Sequence, residues 1–172
     1  MADVHSTEPR YSCGVLTLSD KGSQGKREDT SGPMLREMLS ESGYSVQEYC
    51  ILPDDPEIIE QTLLKWVDDL GLDLIVTTGG TGVAPSDRTP EATRRVVELE
   101  IPGISEAMRM ASLKKTIQAV WSRGIAGIRK QSLIINLPGS EKAARENLEA
   151  VLPALQHGIY KLKGGSADCG QP

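Results

Sequence analysis

Short apolar runs alternate with amphipathic segments along almost the whole chain. Ser12–Ser19 (SCGVLTLS) is apolar and bounded by charge, which predicts a first strand. The polar stretch SDKGSQGKREDTSGP then predicts a long loop. Met34, Leu35, Met38 and Leu39 recur at helical spacing, so a helix is expected from Pro33 to about Ser42, capped by Ser31 and stopped at Gly43. Ser45–Leu52 alternates weakly and predicts a second strand. Ile58, Ile59, Leu63, Trp66, Val67 and Leu70 mark the inner face of a helix over Pro56–Leu70, ended by Gly71. Leu72–Thr77 predicts a buried strand. Helices follow over Pro90–Glu100, with Thr89 as cap and Pro102–Gly103 as stop, and over Ile104–Leu113. Ala119–Ser122 and Ala126–Arg129 read as short strands or a hairpin. Ser132–Leu137 (SLIINL) predicts another buried strand, and Ser140–Lys163 a final helix, broken or bent near Pro153.

Strands alternating with helices of this length predict an α/β fold, a three-layer α/β/α sandwich with a mostly parallel central sheet. Right-handed crossovers carry the loops that follow the strands to one sheet edge. Three loops are therefore expected to meet: the one after Ser19, the one after Thr77, and Pro138–Gly139–Ser140. One domain is expected over residues 11–163, with residues 1–10 and 164–172 as flexible tails.

Charge and composition narrow the function. The 172 residues carry a formal net charge of -5, which argues against a nucleic-acid partner and requires local donors for any anionic substrate. Phe is absent and aromatic content is 3%, so base stacking on an aromatic platform is not expected. Cys13, Cys50 and Cys169 are widely spaced with no CxxC pair, and read as reduced thiols of a cytoplasmic protein. The first ten residues lack a signal-peptide layout, and no apolar run approaches the roughly 18–20 residues of a membrane span.

The densest candidate chemistry lies in TTGGTGVAPSDRTPEAT, Thr77 to Thr93. It is neither a Walker A motif, having no Gly-Lys-Ser/Thr, nor a dinucleotide fingerprint, having Pro85 at the third glycine position. Its glycines permit either a tight strand-to-helix connection or an anion cradle. Asp87, beside them and before the next helix, tilts the reading toward an anion arriving with a metal. Asp54 and Asp55 precede a helix, as caps often do, yet they follow a strand of the same sheet. Carboxylates converging at that edge could hold Mg²⁺ against a phosphate. Ser140 is a candidate phosphate or ring contact. Asp29 reads as a helix cap, Arg123 and Arg129 as surface charge, Trp66 and Trp121 as core or interface, and His157 as packing rather than catalysis.

In order along the chain, LTLSDKGSQGKREDTSGPML, LPDDPEII, TTGGTG with its Asp87 and TPEAT, and SRGIAGIRKQSLIINLPGS resemble the molybdopterin adenylyltransferases of molybdenum-cofactor biosynthesis, a family that includes the G domain of gephyrin. The resemblance spans about residues 11–163. It implies that ATP and molybdopterin bind with Mg²⁺ and that the terminal phosphate of molybdopterin attacks the α-phosphate of ATP. It makes Asp87 the essential acidic residue of the signature, acting through Mg²⁺, and Asp54 the second functional aspartate, with Asp55 its acidic neighbour. Ser19, Asp20, Thr78, Gly79, Gly80, Thr81, Gly82, Pro138, Gly139 and Ser140 would contact substrate. It further implies a homotrimer and hand-over of the product to a molybdenum insertion protein. Two departures stand out. The family often has Arg-Asp where this chain has Ser86-Asp87 followed by Arg88, and Lys130 stands where glycine is common. Rival readings are a sister-branch pterin- or nucleotide-binding protein of the same pathway with different or lost activity, and a non-enzymatic scaffold domain. TPEAT favours the transferase branch.

Overall fold

A computed structural model describes residues 11–166. The elements run β1 (Tyr11–Leu18), α1 (Asp20–Ser23), α2 (Ser31–Glu41), β2 (Tyr44–Leu52), α3 (Pro56–Asp68), β3 (Leu74–Thr78), α4 (Thr89–Val96), β4 (Leu99–Glu100), α5 (Pro102–Leu113), a 3-10 turn (Ile117–Trp121), β5 (Ala126–Arg129), β6 (Ser132–Leu137) and α6 (Glu141–Leu162). Residues 1–10 and 167–172 of the expected tails, with Cys169, lie outside the described residues.

The sheet order is β2-β1-β3-β6-β5-β4. The first four strands are parallel, whereas β5 runs antiparallel to β6 and β4 antiparallel to β5. Side chains alternate across each strand and feed two cores. Val15, Leu74, Val76, Leu133 and Ile135 pack under α2, α5 and α6. Leu16, Leu18, Ile75 and Ile134 pack under α3 and α4. The result is the expected α/β/α sandwich. The chain leaves β1 in one direction for β2 and crosses back for β3, so the strand order reverses between β1 and β3. Their carboxyl ends open a crevice there, the usual ligand position in such sheets.

Several local expectations need correction. Asp20–Ser23 forms a short helix inside the expected loop. The α3 helix ends at Asp68, and Ile58 and Leu70, expected on its inner face, are exposed. The helix expected to reach Glu100 stops at Val96, because Val97 is extended and Glu98 and Ile101 donate to the β5 carbonyls of Ile128 and Ala126. Ala119–Ser122 is not a strand: Thr116 caps a 3-10 turn there by accepting from the Gln118 N–H. Pro153 does not break α6, since it and Glu149 are both exposed and the carbonyl that loses its partner can meet water. Neither Ser31 nor Thr89 caps a helix. Each begins its helix and spends its hydroxyl elsewhere, Ser31 on Gly139 O of a distant loop and Thr89 on Gly79 O at the start of its own loop.

Candidate functional site

The three expected loops do meet. A polar cleft of about 320 Å³ lies at the ends of β1, β3 and β6. Ser19, residues 27–31, Asp54, Thr78–Gly80, Asp87 and Gly139–Glu141 are among the residues that line it. Hydroxyls tie the loops together. Thr78 Oγ1 donates to Pro138 O at 2.7 Å, Thr89 Oγ1 to Gly79 O at 2.9 Å, and Ser31 Oγ to Gly139 O at 3.0 Å. Below them Asn136, almost fully buried, donates to Thr77 Oγ1 and Thr93 Oγ1 and accepts from Ile125 N–H. A buried polar network with its groups satisfied fixes one arrangement of strand ends.

Glycine is required in the β3–α4 loop for room as well as rotation. Gly80 has φ of 65°, and a Cβ there would lie 2.2 Å from Thr89 Oγ1 and 3.2 Å from Asp54 Oδ1. The loop backbone thus runs directly against Asp54. A Cβ at Gly82 would lie 2.8 Å from Asp87 Oδ2, so the second carboxylate packs against the same loop.

The carboxylates are held from several sides. Asp54 Oδ2 accepts from the Asp20 N–H at 3.1 Å, and Asp20 Oδ1 accepts from the Asp54 N–H at 2.9 Å. Burial raises the Asp54 carboxyl above the ordinary aspartate range; the Asp20 N–H opposes this, and the charges of Asp20 and Asp87 add to it. Asp87 is not a helix cap. Its Oδ2 accepts from the Ala84 N–H at 2.8 Å and closes the turn before α4. Asp55, by contrast, caps α3, accepting from the N–H groups of Glu57 and Ile58. Asp29 is also structural: it accepts from Gly32 N–H, Thr17 Oγ1 and Tyr49 OH, so it anchors α2 to β1 and β2.

A second cavity of about 340 Å³ adjoins the cleft through Gly139. Thr81, Gly82, Trp121, Ser122, Pro138 and Asn147 are among its walls. Trp121 is 60% exposed, whereas Trp66 belongs to the core under α3.

The expected site residues therefore divide. Ser19, Asp54, Thr78, Gly79, Gly80, Asp87, Gly139 and Ser140 line the polar cleft. Thr81, Gly82 and Pro138 face the second cavity instead, together with Gly139. Asp20 lines neither and braces Asp54. Gly79 cannot offer its N–H to a phosphate, because that group donates to Leu137 O. Ser19 and Ser140 each accept from a backbone N–H as N-caps of α1 and α6. Sequence reading missed Arg27, Thr30 and Glu141 on the cleft wall, and Ser122 and Trp121 in the second cavity. It also missed Arg123, which is no mere surface charge: it donates to the carbonyls of Gly82 and Asp87 and pairs with Glu91. Its position just before β5 carries no local signal for those contacts. His157 is exposed on α6 and borders neither cavity.

Residues 14–157 match the family described as "Probable molybdopterin binding domain". The molybdopterin adenylyltransferase of Helicobacter pylori (strain J99) is 49% identical over 153 residues, covering 88% of this chain and 87% of that one. Gephyrin of Dictyostelium discoideum is 46% identical over 162 residues, covering 88% of this chain but 22% of that longer protein. The crystal structure of the molybdopterin biosynthesis enzyme MoaB from Thermus thermophilus superposes with a TM-score of 0.85 at 51% identity, covering 90% of this chain and 97% of that one.

Proposed function

The chain belongs to this molybdopterin-binding domain family, and from that premise we propose that it is a molybdopterin adenylyltransferase. The terminal phosphate of molybdopterin attacks the α-phosphate of ATP; the bond to the β-phosphate breaks, pyrophosphate leaves, and adenylyl-molybdopterin is the product. The carrying observation is that Asp54 and Asp87 share one polar cleft, separated by the glycine loop from a second cavity walled by Trp121. A transfer between two substrates, each with a flat heterocycle and phosphates, needs two adjoining spaces of this kind.

Asp54 and Asp87 would hold Mg²⁺. The fit rests on their chemistry: a carboxyl raised by burial and by neighbouring negative charge gains when a cation arrives, and Mg²⁺ usually takes one or two carboxylates plus substrate phosphates. When bound, the cation supplies neutralisation of the phosphate charge. The rest is positioning by the chain. Gly80 would offer its N–H to the phosphates, Thr81 and Gly82 serve the adjoining cavity, and the N-termini of α2 and α6 open on the polar cleft. Thr78 and Gly79 hold the loop, Asp20 holds Asp54, and Ser122 and Trp121 flank a ring in the second cavity. In this reading one domain over residues 11–163 carries the activity, working as a cytoplasmic trimer that hands its product to a molybdenum insertion protein. No helix among the described residues is long and apolar enough to cross a membrane.

The direct test is incubation with molybdopterin, ATP and Mg²⁺, following adenylyl-molybdopterin and pyrophosphate. Chelation with EDTA is expected to stop turnover and Mg²⁺ to restore it. Asp87→Asn is expected to lower the rate by about a hundredfold or more while keeping the fold and pterin binding. Pterin binding without product, by the unaltered protein, would rule the transferase out in favour of a binding role.

A further inference from the structure

Five exposed or half-exposed residues, Gly82 to Ser86, separate the buried Thr81 from Asp87. Within this loop the contacts are local: Asp87 and Ala84 exchange bonds, and Arg88 Nε donates to Pro85 O. Its base is closed by the Thr89 N–H on Gly80 O. The loop reaches the body of the protein through Arg123, which stands 36 residues from Asp87 in sequence. Arg123 Nε donates to Gly82 O at 2.7 Å and its Nη2 to Asp87 O at 2.7 Å. Its backbone N–H donates to Thr81 O at 2.9 Å. Glu91, in the first turn of α4, pairs with the same guanidinium from the other side. The planar fork thus spans both ends of the loop, a geometry an ammonium cannot copy with one point charge.

We propose that Arg123 is a positioning residue for Asp87: its guanidinium clamps the two ends of the 82–87 loop against the first turn of α4 and so sets where that carboxylate stands in the polar cleft. The clamp also fixes the shared wall of the two cavities, since Thr81 and Gly82 face one and Asp87 the other. Ser122, the residue before Arg123, lines the second cavity, so the group that holds Asp87 is anchored beside the second substrate's space. The catalytic consequence rests on the adenylyltransferase reading; the clamp itself does not.

The test compares Arg123→Gln, Arg123→Lys and Glu91→Gln with the unaltered protein, and uses Arg95→Gln as a control. Arg95 is an exposed arginine of α4 that pairs with Glu60 away from both cavities. Backbone hydrogen exchange of residues 82–88 is expected to speed up in Arg123→Gln while β1, β3 and β6 stay protected. Per folded molecule, kcat is expected to fall about ten- to a hundredfold, the loss typical of a misplaced group, with KM for ATP and molybdopterin changed little. The Mg²⁺ concentration for half-maximal rate should rise. Arg123→Lys and Glu91→Gln should fall between, and Arg95→Gln should match the unaltered protein. Unchanged exchange in the loop would overturn the clamp, and faster exchange with unchanged kcat would overturn its positioning role. Should Arg123→Gln fail to fold, Arg123→Lys decides by the same measurements. An unaltered protein that forms no product would sink the transferase reading, while the exchange data still decide the clamp.

Discussion

An ionised Asp54 has lost water on burial and faces the charges of Asp20 and Asp87, with only the Asp20 N–H in its favour, so its carboxyl titrates above the ordinary aspartate range. A carboxyl raised in the native state binds protons more tightly there than in the unfolded chain. Its cost is therefore absent below the unfolded pKa of about 3.9, grows as pH rises, and is complete above the native value. Asp54→Asn should abolish adenylyl transfer and yet raise the melting temperature at pH 7, by about 2–4 °C for each kcal/mol relieved. The two melting curves should converge as pH falls toward 4. A variant that is less stable than the unaltered protein at pH 7 would show that Asp54 is not under charge strain. Burial acts in the same direction on the thiols, raising Cys13 to about 12 and Cys50 to about 11. Thiolate is the reactive form. Native protein at pH 8 should therefore alkylate at Cys13 and Cys50 far more slowly than urea-unfolded protein, as peptide mass mapping after iodoacetamide would read.

The β5–β6 connection shows how an element can be held by a residue that does not suit it. Lys130 has φ of 51°, in the left-handed region that costs a side chain about 1–2 kcal/mol. Its ammonium lies 2.7 Å from Asp68 Oδ1, and Arg129 donates to both oxygens of the same carboxylate, which lowers Asp68 to about 2. Lys130→Ala removes the ion pair and keeps the strain; Lys130→Gly removes both, at the cost of a looser unfolded chain. Glycine should therefore exceed alanine by about 0.5–1 kcal/mol in urea unfolding. Equal stabilities would mean the turn relaxes without strain. The elements that sequence reading located well are those with one dominant pattern. The runs in β1, β3 and β6 lie in the middle of the sheet, covered on both faces, and the apolar faces of α2 and α3 repeat at helical spacing. It failed at β4, where Leu99–Glu100 is too short to carry a period and exists because Ile128 and Gly127 lie opposite. It failed also at the caps, because the Ser31 hydroxyl has its partner in a loop far along the chain and the Thr89 hydroxyl folds back on the start of its own loop.

Across the whole molecule, the meeting of three loops was legible because right-handed crossovers fix which sheet edge they share. The clamp by Arg123 was not, because an arginine in a glycine-rich stretch looks the same whether it meets water or a carbonyl. Nor could sequence tell that the surface beyond the second cavity would stay apolar. Met110, Leu113, Ile117, Val120 and Trp121 are 64%, 41%, 71%, 53% and 60% exposed, and they follow one another on α5 and the 3-10 turn. Large apolar side chains grouped in this way favour contact with another protein surface over water. In the proposed trimer this face should meet a different face of the next copy, since a closed three-fold ring uses head-to-tail contacts. Ile117→Asp would bury a charge at such a contact, and an unpaired buried charge costs several kcal/mol. Sedimentation velocity at micromolar protein should show a trimer for the unaltered chain and a monomer for Ile117→Asp, with the same far-ultraviolet circular dichroism. A trimer that tolerates the aspartate would place the contact elsewhere, and a monomeric unaltered chain would remove the trimer from the functional reading. Because Trp121 also walls the second cavity, the monomeric variant should lose affinity for molybdopterin before it loses affinity for ATP, provided this cavity takes the pterin.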